Sequence, residues 1–380
     1  MDATHIRLEI YKEQEEKLKT YVEHKWDTLA LKNFHFLSAN LSKCLPDIPM
    51  STHKYMYRKI LSFRALQSID TRFYQNFNSV KGVDDFSEKI KNIKNPGIFV
   101  SYHLGSFRSA LALLIKANID VVLIIDPLPY ELQKDHIIEQ YKQVKAHFNS
   151  TSDLIIFPAD KKDLSVQILA KTSKNYSVLA FVDGNTGYNG AFNQKNTVKV
   201  DFLGQKVAFR RGLAMLSYFT KCPMYPMLSY YDEHLKPHWE ILDPIYPDAE
   251  MKADDFADQT IKKLFGILEK ALIQYPDQWE GWLYLHKFMD IDSFDTPAAS
   301  IDMNDHDTFY LNPKVGIFSY EDRYYALNKE NYKIVELTKA LFERLHFDKK
   351  VDQLSDEDRA DIAFLVEKRF VLKEPNLVVA

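Results

Sequence analysis

The chain has 380 residues, of which 46% are hydrophobic and 27% charged, with a formal net charge of −4. A chain of this size can bury a sizeable core and is expected to form about two domains. The slight acidic excess gives no general reason to expect nucleic acid as a partner. Two distant cysteines, Cys44 and Cys222, are too few for a disulfide framework or a zinc site, so we expect a cytoplasmic protein.

Membrane insertion is not expected from the hydropathy pattern. The first 25 residues are dense in Lys and Glu and lack an apolar core of signal-peptide length. No run of about 18 apolar residues occurs along the chain. We therefore expect a soluble protein without a transmembrane segment, which leaves peripheral contact with a membrane open.

Hydrophobic periodicity divides the chain into a helical lead-in and an α/β region. Residues 1–90 are predicted to be mostly helical, with apolar residues at helical spacing around Val22 and Trp26. From Pro96 onward, β-rich runs alternate with helical stretches, which predicts a mixed sheet flanked by helices. The predicted strands are Ile98–Tyr102, Val121–Ile125, Leu154–Phe157, Val178–Val182, Val198–Phe202 and Met224–Tyr230.

A change of composition after Met289 indicates a domain boundary. Residues 291–308 are rich in Asp, contain a Pro and lack periodicity, which is typical of a linker. Residues 309–380 then predict a small domain with β-type runs near 315–319 and 324–327, followed by two helical patterns. The predicted organisation is a main domain over residues 1–290, an acidic linker over 291–308 and a small domain over 309–380.

His103 is the first candidate for chemistry, because it follows the apolar run Gly97–Tyr102 directly and is followed by Gly105. A strand that feeds a short turn and a helix places such a residue at the carboxyl edge of a sheet, where α/β enzymes carry their reactive groups. Histidine is well suited to accept a proton near neutral pH. A purely structural histidine is the alternative interpretation.

Five segments in chain order carry a family resemblance. They are His103–Arg108, Asp126–Pro129, Asp183–Gly187, Phe202–Gly204 with Arg211–Ala214, and Pro276–Phe288. This order resembles the lipid A late acyltransferases, within the lysophospholipid acyltransferase-like superfamily, over roughly residues 10–290. The resemblance implies a glycerol-phosphate acyltransferase-like fold. It also implies transfer of a fatty acyl group from an acyl-carrier-protein or coenzyme A thioester to an amine or hydroxyl, with no metal and no bound cofactor.

The catalytic dyad of that family is incomplete in this sequence. The resemblance implies that His103 is the general base, but the family places Glu or Asp five positions later, where this chain has Arg108. The family also has Arg before Pro at the end of the next strand, where this chain has Asp126 before Pro127. We therefore expect an ion pair of reversed polarity, with Asp126 orienting His103 and Arg108 stabilising the oxyanion. Loss of catalysis is the competing interpretation.

Two further pairs of residues are candidates for substrate binding. Asp183 and Asn185, in a Gly-containing loop after a predicted strand, are expected to bind a polar acceptor. Arg210 and Arg211 are expected to hold a phosphate, such as that of a phosphopantetheine arm. The alternatives are a simple turn for the first pair and a solvated charged pair at a helix start for the second.

The carboxyl-terminal segment resembles a second family. Its β-type runs, the Leu327-Asn328 step and the ending Phe364–Val371 are similar to PqqD-like peptide-recognition domains, which have a small winged-helix-like α+β fold. Such domains take an extended peptide at a sheet edge during ribosomal peptide maturation. A helical appendage that stabilises or dimerises the enzyme is the alternative.

These observations predict a soluble acyltransferase whose acceptor is an amine or hydroxyl on a captured ribosomal peptide. One alternative is an inactive acyltransferase fold that serves as a peptide- or lipid-binding subunit. The other is a lipid A or phospholipid acyltransferase, which is less favoured because the amino-terminal membrane anchor usual in that family is not found in this sequence.

Overall fold

The chain is organised as two compact units. A computed structural model describes residues 3–24, 28–72, 88–90, 93, 96–184, 196–294, 307–348, 350–352 and 356–374. One unit is formed within residues 1–20 and 56–288, and the other within residues 21–55 and 289–380. The helical lead-in, which we predicted as part of the main domain, is thus shared between the two units. Most of the predicted linker, residues 295–306, lies outside the described residues.

A six-stranded mixed sheet forms the centre of the first unit. The described strands of this unit are β1 (Ile98–Ser101), β2 (Val121–Ile125), β3 (Leu154–Pro158), β4 (Ser177–Phe181), β5 (Thr197–Phe202), β6 (Gln205–Arg210), β7 (Met224–Tyr231) and β8 (Pro237–Ile241). The strand order of the central sheet is β3-β2-β4-β1-β7-β8, and all neighbouring strands are parallel except β7 and β8. The strands β5 and β6 form a separate antiparallel hairpin. The predicted mixed α/β architecture is confirmed.

Helices cover this sheet and supply its core contacts. The short helix α4 (Ala110–Lys116) packs Ala110, Leu113 and Leu114 against Phe99 of β1 and Leu179 of β4. A parallel sheet needs apolar residues on both faces because helices cover both, which explains why β1 is buried along its whole length.

The helices up to residue 274 are numbered in chain order, and α2 among them belongs to the second unit. They are α1 (Ala3–His24), α2 (Thr28–Cys44), α3 (His53–Asp70), α4, α5 (Pro127–His147), α6 (Leu164–Thr172), α7 (Gly212–Thr220) and α8 (Ala253–Gln274).

The sheet register sets the position of the loops at its carboxyl edge. Ser101 of β1 is paired with Phe181 of β4, so the segments that follow these two strands emerge side by side. Leu123 of β2 is paired with Leu179 of β4, so the segment after β2 emerges at the same edge. Because β4 lies between β1 and β2, the segment after β4 is next to both of its neighbours.

A buried ion pair joins α1 to α3. The guanidinium of Arg7 contacts the Asp70 carboxylate through Nε and, at 3.1 Å, through Nη2. The hydroxyl of Tyr231, in β7, donates to Asp70 Oδ2 at 2.6 Å. Arg7 and Asp70 are both buried, so each charge depends on the other for compensation. This contact fixes α1 and α3 to the end of β7.

Asp70→Ala is expected to lower the free energy of unfolding by about 3–5 kcal/mol, because it leaves the Arg7 charge buried without its partner. Urea unfolding followed by circular dichroism measures the change. Glu13→Ala is the control, because the side chains of Glu13 and Lys17 form an ion pair in which both are exposed. Losing this pair should change the free energy of unfolding little. Equal losses in the two variants would contradict the importance of the buried pair.

The second unit is a small α+β structure that includes α2. Its described elements are β9 (Phe309–Leu311), β10 (Val315–Tyr320), β11 (Arg323–Asn328), β12 (Ile334–Leu337), α9 (Lys339–Glu343), β13 (Lys350–Val351), α10 (Asp356–Glu367) and β14 (Val371–Lys373). They form two antiparallel sheets, ordered β10-β11-β12 and β13-β9-β14. The two β-type runs predicted at residues 315–319 and 324–327 correspond to β10 and β11.

Helix α2 packs closely on β10. His35 Nε2 is 3.2 Å from the Ile317 carbonyl oxygen, which accepts its hydrogen bond. A Cβ at Gly316 would lie 2.2 Å from the His35 ring, so this position of β10 requires glycine. No helix in the described ranges has an apolar stretch long enough to cross a bilayer.

Candidate active site

A histidine and a carboxylate meet at the carboxyl edge of the central sheet. His103 lies two residues beyond β1, and Asp183 lies two residues beyond the paired strand β4. The shared register therefore brings the two side chains to the same level. His103 Nδ1 is 2.8 Å from Asp183 Oδ1. The carboxylate therefore comes from the segment after the neighbouring strand β4, and not from the loop that carries His103.

Asp183 is almost completely buried, and three donors among the described residues form hydrogen bonds to its carboxylate. The backbone N–H of His103 donates to Oδ2 at 2.9 Å, and the indole Nε1–H of Trp279 donates to the same oxygen at 2.7 Å. The His103 ring donates to Oδ1. Because Asp183 Oδ1 accepts a hydrogen bond from the His103 Nδ1 position, a neutral His103 carries its proton on Nδ1. The other ring nitrogen, Nε2, is then the basic one.

The protonation of His103 is controlled by neighbouring charges. Burial acts to lower the pKa of His103, but the charge and hydrogen bond of Asp183, helped by the charges of Glu280 and Asp126, outweigh burial and leave this pKa raised. About a quarter of the side chain, 23%, stays exposed. The imidazole can therefore be reached from outside, and its pKa is raised from the ordinary histidine value.

Aromatic rings enclose the imidazole on two sides. The centroid of the Phe107 ring is 4.8 Å from that of His103, and the centroid of the Phe181 ring is 5.0 Å away. Phe181 ends β4, and Phe107 begins the short turn that precedes α4. The two rings also contact each other edge to face. They give the site an apolar wall beside the imidazole.

The expected ion pair between Arg108 and Asp126 is not formed. The Arg108 side chain is exposed, and its Nε donates to Gln67 Oε1 at 3.4 Å. In the part of the chain that the structure describes, no ion pair joins Arg108 to Asp126. The physical reason is the strand order: β4 separates β1 from β2, so segments after β1 and β2 are about 10 Å apart. The contact with the His103 ring that we expected from Asp126 is made by Asp183.

Asp126 nevertheless belongs to the electrostatic surroundings of the site. It precedes α5 directly at the end of β2. Burial raises the pKa of Asp126, the charges of His103 and Arg210 act to lower it, and the charge of Asp183 adds to the rise. Asp126 thus interacts through charge with the dyad and with one of the two predicted phosphate-binding arginines.

The two neighbouring arginines, Arg210 and Arg211, have different surroundings in the structure. Arg211 Nη1 contacts Asp254 at 3.0 Å and Asp258 at 3.2 Å, both on α8. Arg210 is different, because its Nε and Nη2 atoms are buried and have no hydrogen-bond partner among the described residues. Burial lowers the pKa of Arg210, and the charge of Asp126 opposes that shift.

One candidate position has no structural account. Asn185, predicted to bind a polar acceptor together with Asp183, lies outside the described residues. The acceptor-binding role of Asn185 therefore stays a prediction. The same applies to the oxyanion role predicted for Arg108, whose observed contacts do not involve His103.

Sequence reasoning missed the contribution of the segment Gln278–Glu280 to the site. The backbone N–H of Glu280 donates to the His103 carbonyl oxygen at 3.0 Å, and the Glu280 side chain is mostly buried. Glu280 Oε2 is 3.4 Å from Arg64 Nε. The signal was present, since this segment lies within Pro276–Phe288, one of the five segments that carry the family resemblance.

Protein-family models and curated protein sequences give no match to this chain. Among solved structures, the chain is similar to the 1-acyl-sn-glycerophosphate (LPA) acyltransferase PlsC from Thermotoga maritima. The sequence identity is 12% and the TM-score 0.31, and the similarity covers 67% of this chain and 98% of that one. A similarity this low supports no functional argument.

Asp183→Asn is expected to lower the pKa of His103, because it removes the charge that outweighs burial in the native protein. NMR titration of the His103 ring measures the shift directly. Asp126→Asn is the matched control, since Asp126 is one strand further from the ring and should lower the pKa by less. Equal shifts in the two variants would show that Asp183 has no special position beside His103.

Proposed function

We propose that this protein is an acyltransferase in which His103 is the general base and Asp183 orients it. The observation that carries the proposal is the 2.8 Å contact between His103 Nδ1 and a buried carboxylate at the carboxyl edge of the sheet. The resemblance of the surrounding segments to the lipid A late acyltransferases supports acyl transfer over other uses of such a dyad. Asp183 supplies the carboxylate that is absent at position 108.

The proposed reaction starts from an amine or hydroxyl acceptor next to His103 Nε2. This nitrogen takes the acceptor proton while the acceptor attacks the carbonyl carbon of an acyl thioester. Asp183 stabilises the imidazolium that forms. The tetrahedral intermediate then collapses, the carbon–sulfur bond breaks, and the thiolate leaving group receives the proton from His103. The acyl chain ends on the acceptor, and the histidine returns to its neutral form.

Arg210 is proposed to bind an anionic part of the acyl donor. Its two buried guanidinium nitrogens have no partner in the described part of the chain, although buried donors are usually satisfied. Arg210 also lies close enough to Asp126 for their charges to interact. Coenzyme A and acyl carrier protein both present a phosphate on a phosphopantetheine arm, which suits a guanidinium. Arg211, held by two carboxylates of α8, is not assigned this role.

The second unit is proposed to bind the peptide that carries the acceptor. Among the described residues its strand β12 is an edge strand, since β11 is the partner it has there in a three-stranded sheet. An edge strand offers backbone donors and acceptors for an added strand. The other edge, β10, is mostly buried and carries α2. Ile334 of β12 is 46% exposed, which gives an incoming peptide an apolar contact.

Acyl transfer can be tested with palmitoyl-coenzyme A as donor and hydroxylamine as a small acceptor. Release of the coenzyme A thiol and formation of the hydroxamate should both be observed. His103→Ala is expected to lower the rate by about 10²-fold or more, because it removes the general base. Wild-type rates in purified, folded His103→Ala would contradict the assignment. Absence of turnover in the native protein with both coenzyme A and carrier-protein donors would favour the alternative of a binding subunit.

A second histidine provides the control for that experiment. His238 of β8 also contacts a carboxylate, with Nε2 2.9 Å from Asp232 Oδ2. His238→Ala therefore removes a histidine–carboxylate contact of similar geometry without changing His103. It should leave the transfer rate within about two-fold of the native value if the dyad is specific.

Peptide capture is tested by Ile334→Asp, which places a charge on the exposed edge of β12. With a pool of synthetic lysine-containing peptides as acceptor, the apparent KM should rise while the rate with hydroxylamine stays unchanged. Ile273→Asp is the control, because Ile273 of α8 is also exposed, at 67%. An unchanged KM for the peptides in Ile334→Asp would leave the second unit without this role.

A further inference from the structure

The loop that carries His103 is held by one short segment of the chain. The backbone N–H of Gly105 donates to the Gln278 carbonyl oxygen at 3.3 Å, and that of Glu280 donates to the His103 carbonyl oxygen at 3.0 Å. Leu104 and Trp279 form an isolated antiparallel bridge between these two hydrogen bonds. The segment Gln278–Glu280 thus acts as a short strand alongside the residues that follow β1.

This segment is itself anchored to the central sheet. The Gln278 side chain accepts a hydrogen bond from the backbone N–H of Tyr231 at 2.8 Å and donates to the Tyr231 carbonyl oxygen at 2.9 Å. Tyr231 ends β7, the neighbour of β1 on the side away from β4. The His103 loop is therefore fixed from both neighbouring strands, through Asp183 on one side and Gln278 on the other.

The indole of Trp279 occupies a closely fitted site. The side chain is 1% exposed, and its ring packs edge to face on Trp282 and on Phe202. A Cβ at Gly281 would lie 2.1 Å from the Trp279 ring, so only glycine leaves room for the indole there. These contacts give the ring little freedom to turn. Its Nε1–H is directed at Asp183 Oδ2, at 2.7 Å.

We propose that Trp279 is a positioning residue that holds the Asp183 carboxylate, and through it the His103 ring, in the orientation needed for proton transfer. The catalytic part of this inference rests on the proposed function, whereas the coupling between Trp279, Asp183 and His103 does not. Trp279 donates to Asp183 Oδ2, whereas the His103 ring donates to the other carboxylate oxygen, Oδ1. It acts only through Asp183, because its indole donates to Asp183 and not to the His103 ring.

The physical basis is the division of donors between the two carboxylate oxygens. Oδ1 receives the His103 ring proton and Oδ2 receives the Trp279 indole, while the His103 backbone N–H donates to both oxygens, at 3.2 Å to Oδ1 and 2.9 Å to Oδ2. Without the indole, a buried oxygen loses a donor and the carboxylate charge is less compensated. The imidazolium is then more strongly favoured. The carboxylate is also less constrained against rotation, so the His103 ring is held less firmly.

The experiment compares Trp279→Phe with Trp282→Phe. Trp282 is an equally buried neighbour whose Nε1–H donates to the Pro276 carbonyl oxygen at 2.7 Å, so its variant also loses one indole hydrogen bond. NMR titration of the His103 ring reports on the dyad, whose other charged neighbours are Glu280 and Asp126. Trp279→Phe is expected to raise the pKa of His103, and Trp282→Phe to leave it unchanged.

A double-mutant cycle with Asp183→Asn separates positioning from general destabilisation. Trp279→Phe alone should slow transfer from palmitoyl-coenzyme A about ten- to a hundred-fold, as expected for a misplaced catalytic group. In the Asp183→Asn background the same substitution should change neither the rate nor the pKa of His103. Additive effects, or the same response from Trp282→Phe, would overturn the proposal.

A second measurement applies if Trp279→Phe does not fold. The chain has four tryptophans, so their indole N–H resonances can be assigned individually. Asp183→Asn should move the Trp279 indole resonance upfield and leave that of Trp282 in place, and an unmoved Trp279 resonance would overturn the proposal. Neither titration nor resonance needs a substrate. An absence of acyl transfer with the expected NMR shifts would therefore reject the proposed function and leave the coupling established.

Discussion

The site depends on one buried carboxylate. Asp183 accepts hydrogen bonds from the ring and the backbone of His103 and from the indole of Trp279, and it is 2% exposed. A buried charge is tolerated only when donors surround it, so these groups must keep their positions for the fold as well as for the chemistry. The same contacts that satisfy Asp183 therefore define the tautomer of His103 and the direction in which Nε2 can act.

Much of the architecture could be predicted from local sequence. The strands are short apolar runs, and the runs predicted at 98–102, 121–125 and 154–157 are β1, β2 and β3. The pairing of these strands could not be predicted in the same way, because it is decided by helix packing on both faces of the sheet. The run at 198–202 shows this, because it is a strand that pairs with β6 in a hairpin separate from the central sheet.

Strand order also explains which predicted neighbours meet in the structure. The position of His103 could be predicted because the end of an apolar strand depends only on nearby residues in sequence. The contact expected between His103 and Asp126 was wrong, since the next strand along the chain, β2, is not the next strand in space. Asp183 was predicted to bind substrate, not to contact the His103 ring. Its approach to His103 requires the β1–β4 register, which no local pattern encodes.

The carboxylate of the proposed dyad follows a neighbouring strand, and this decides what holds the two groups together. In the family that the sequence resembles, the two groups are five residues apart, so one turn of chain fixes their distance. Here residues 103 and 183 are brought together by the pairing of β1 with β4, and a small shift between these strands would separate them. A dyad of this kind needs support outside the two strands. The segment Gln278–Glu280 supplies it, because it joins the His103 loop to β7 and places an indole donor on the carboxylate.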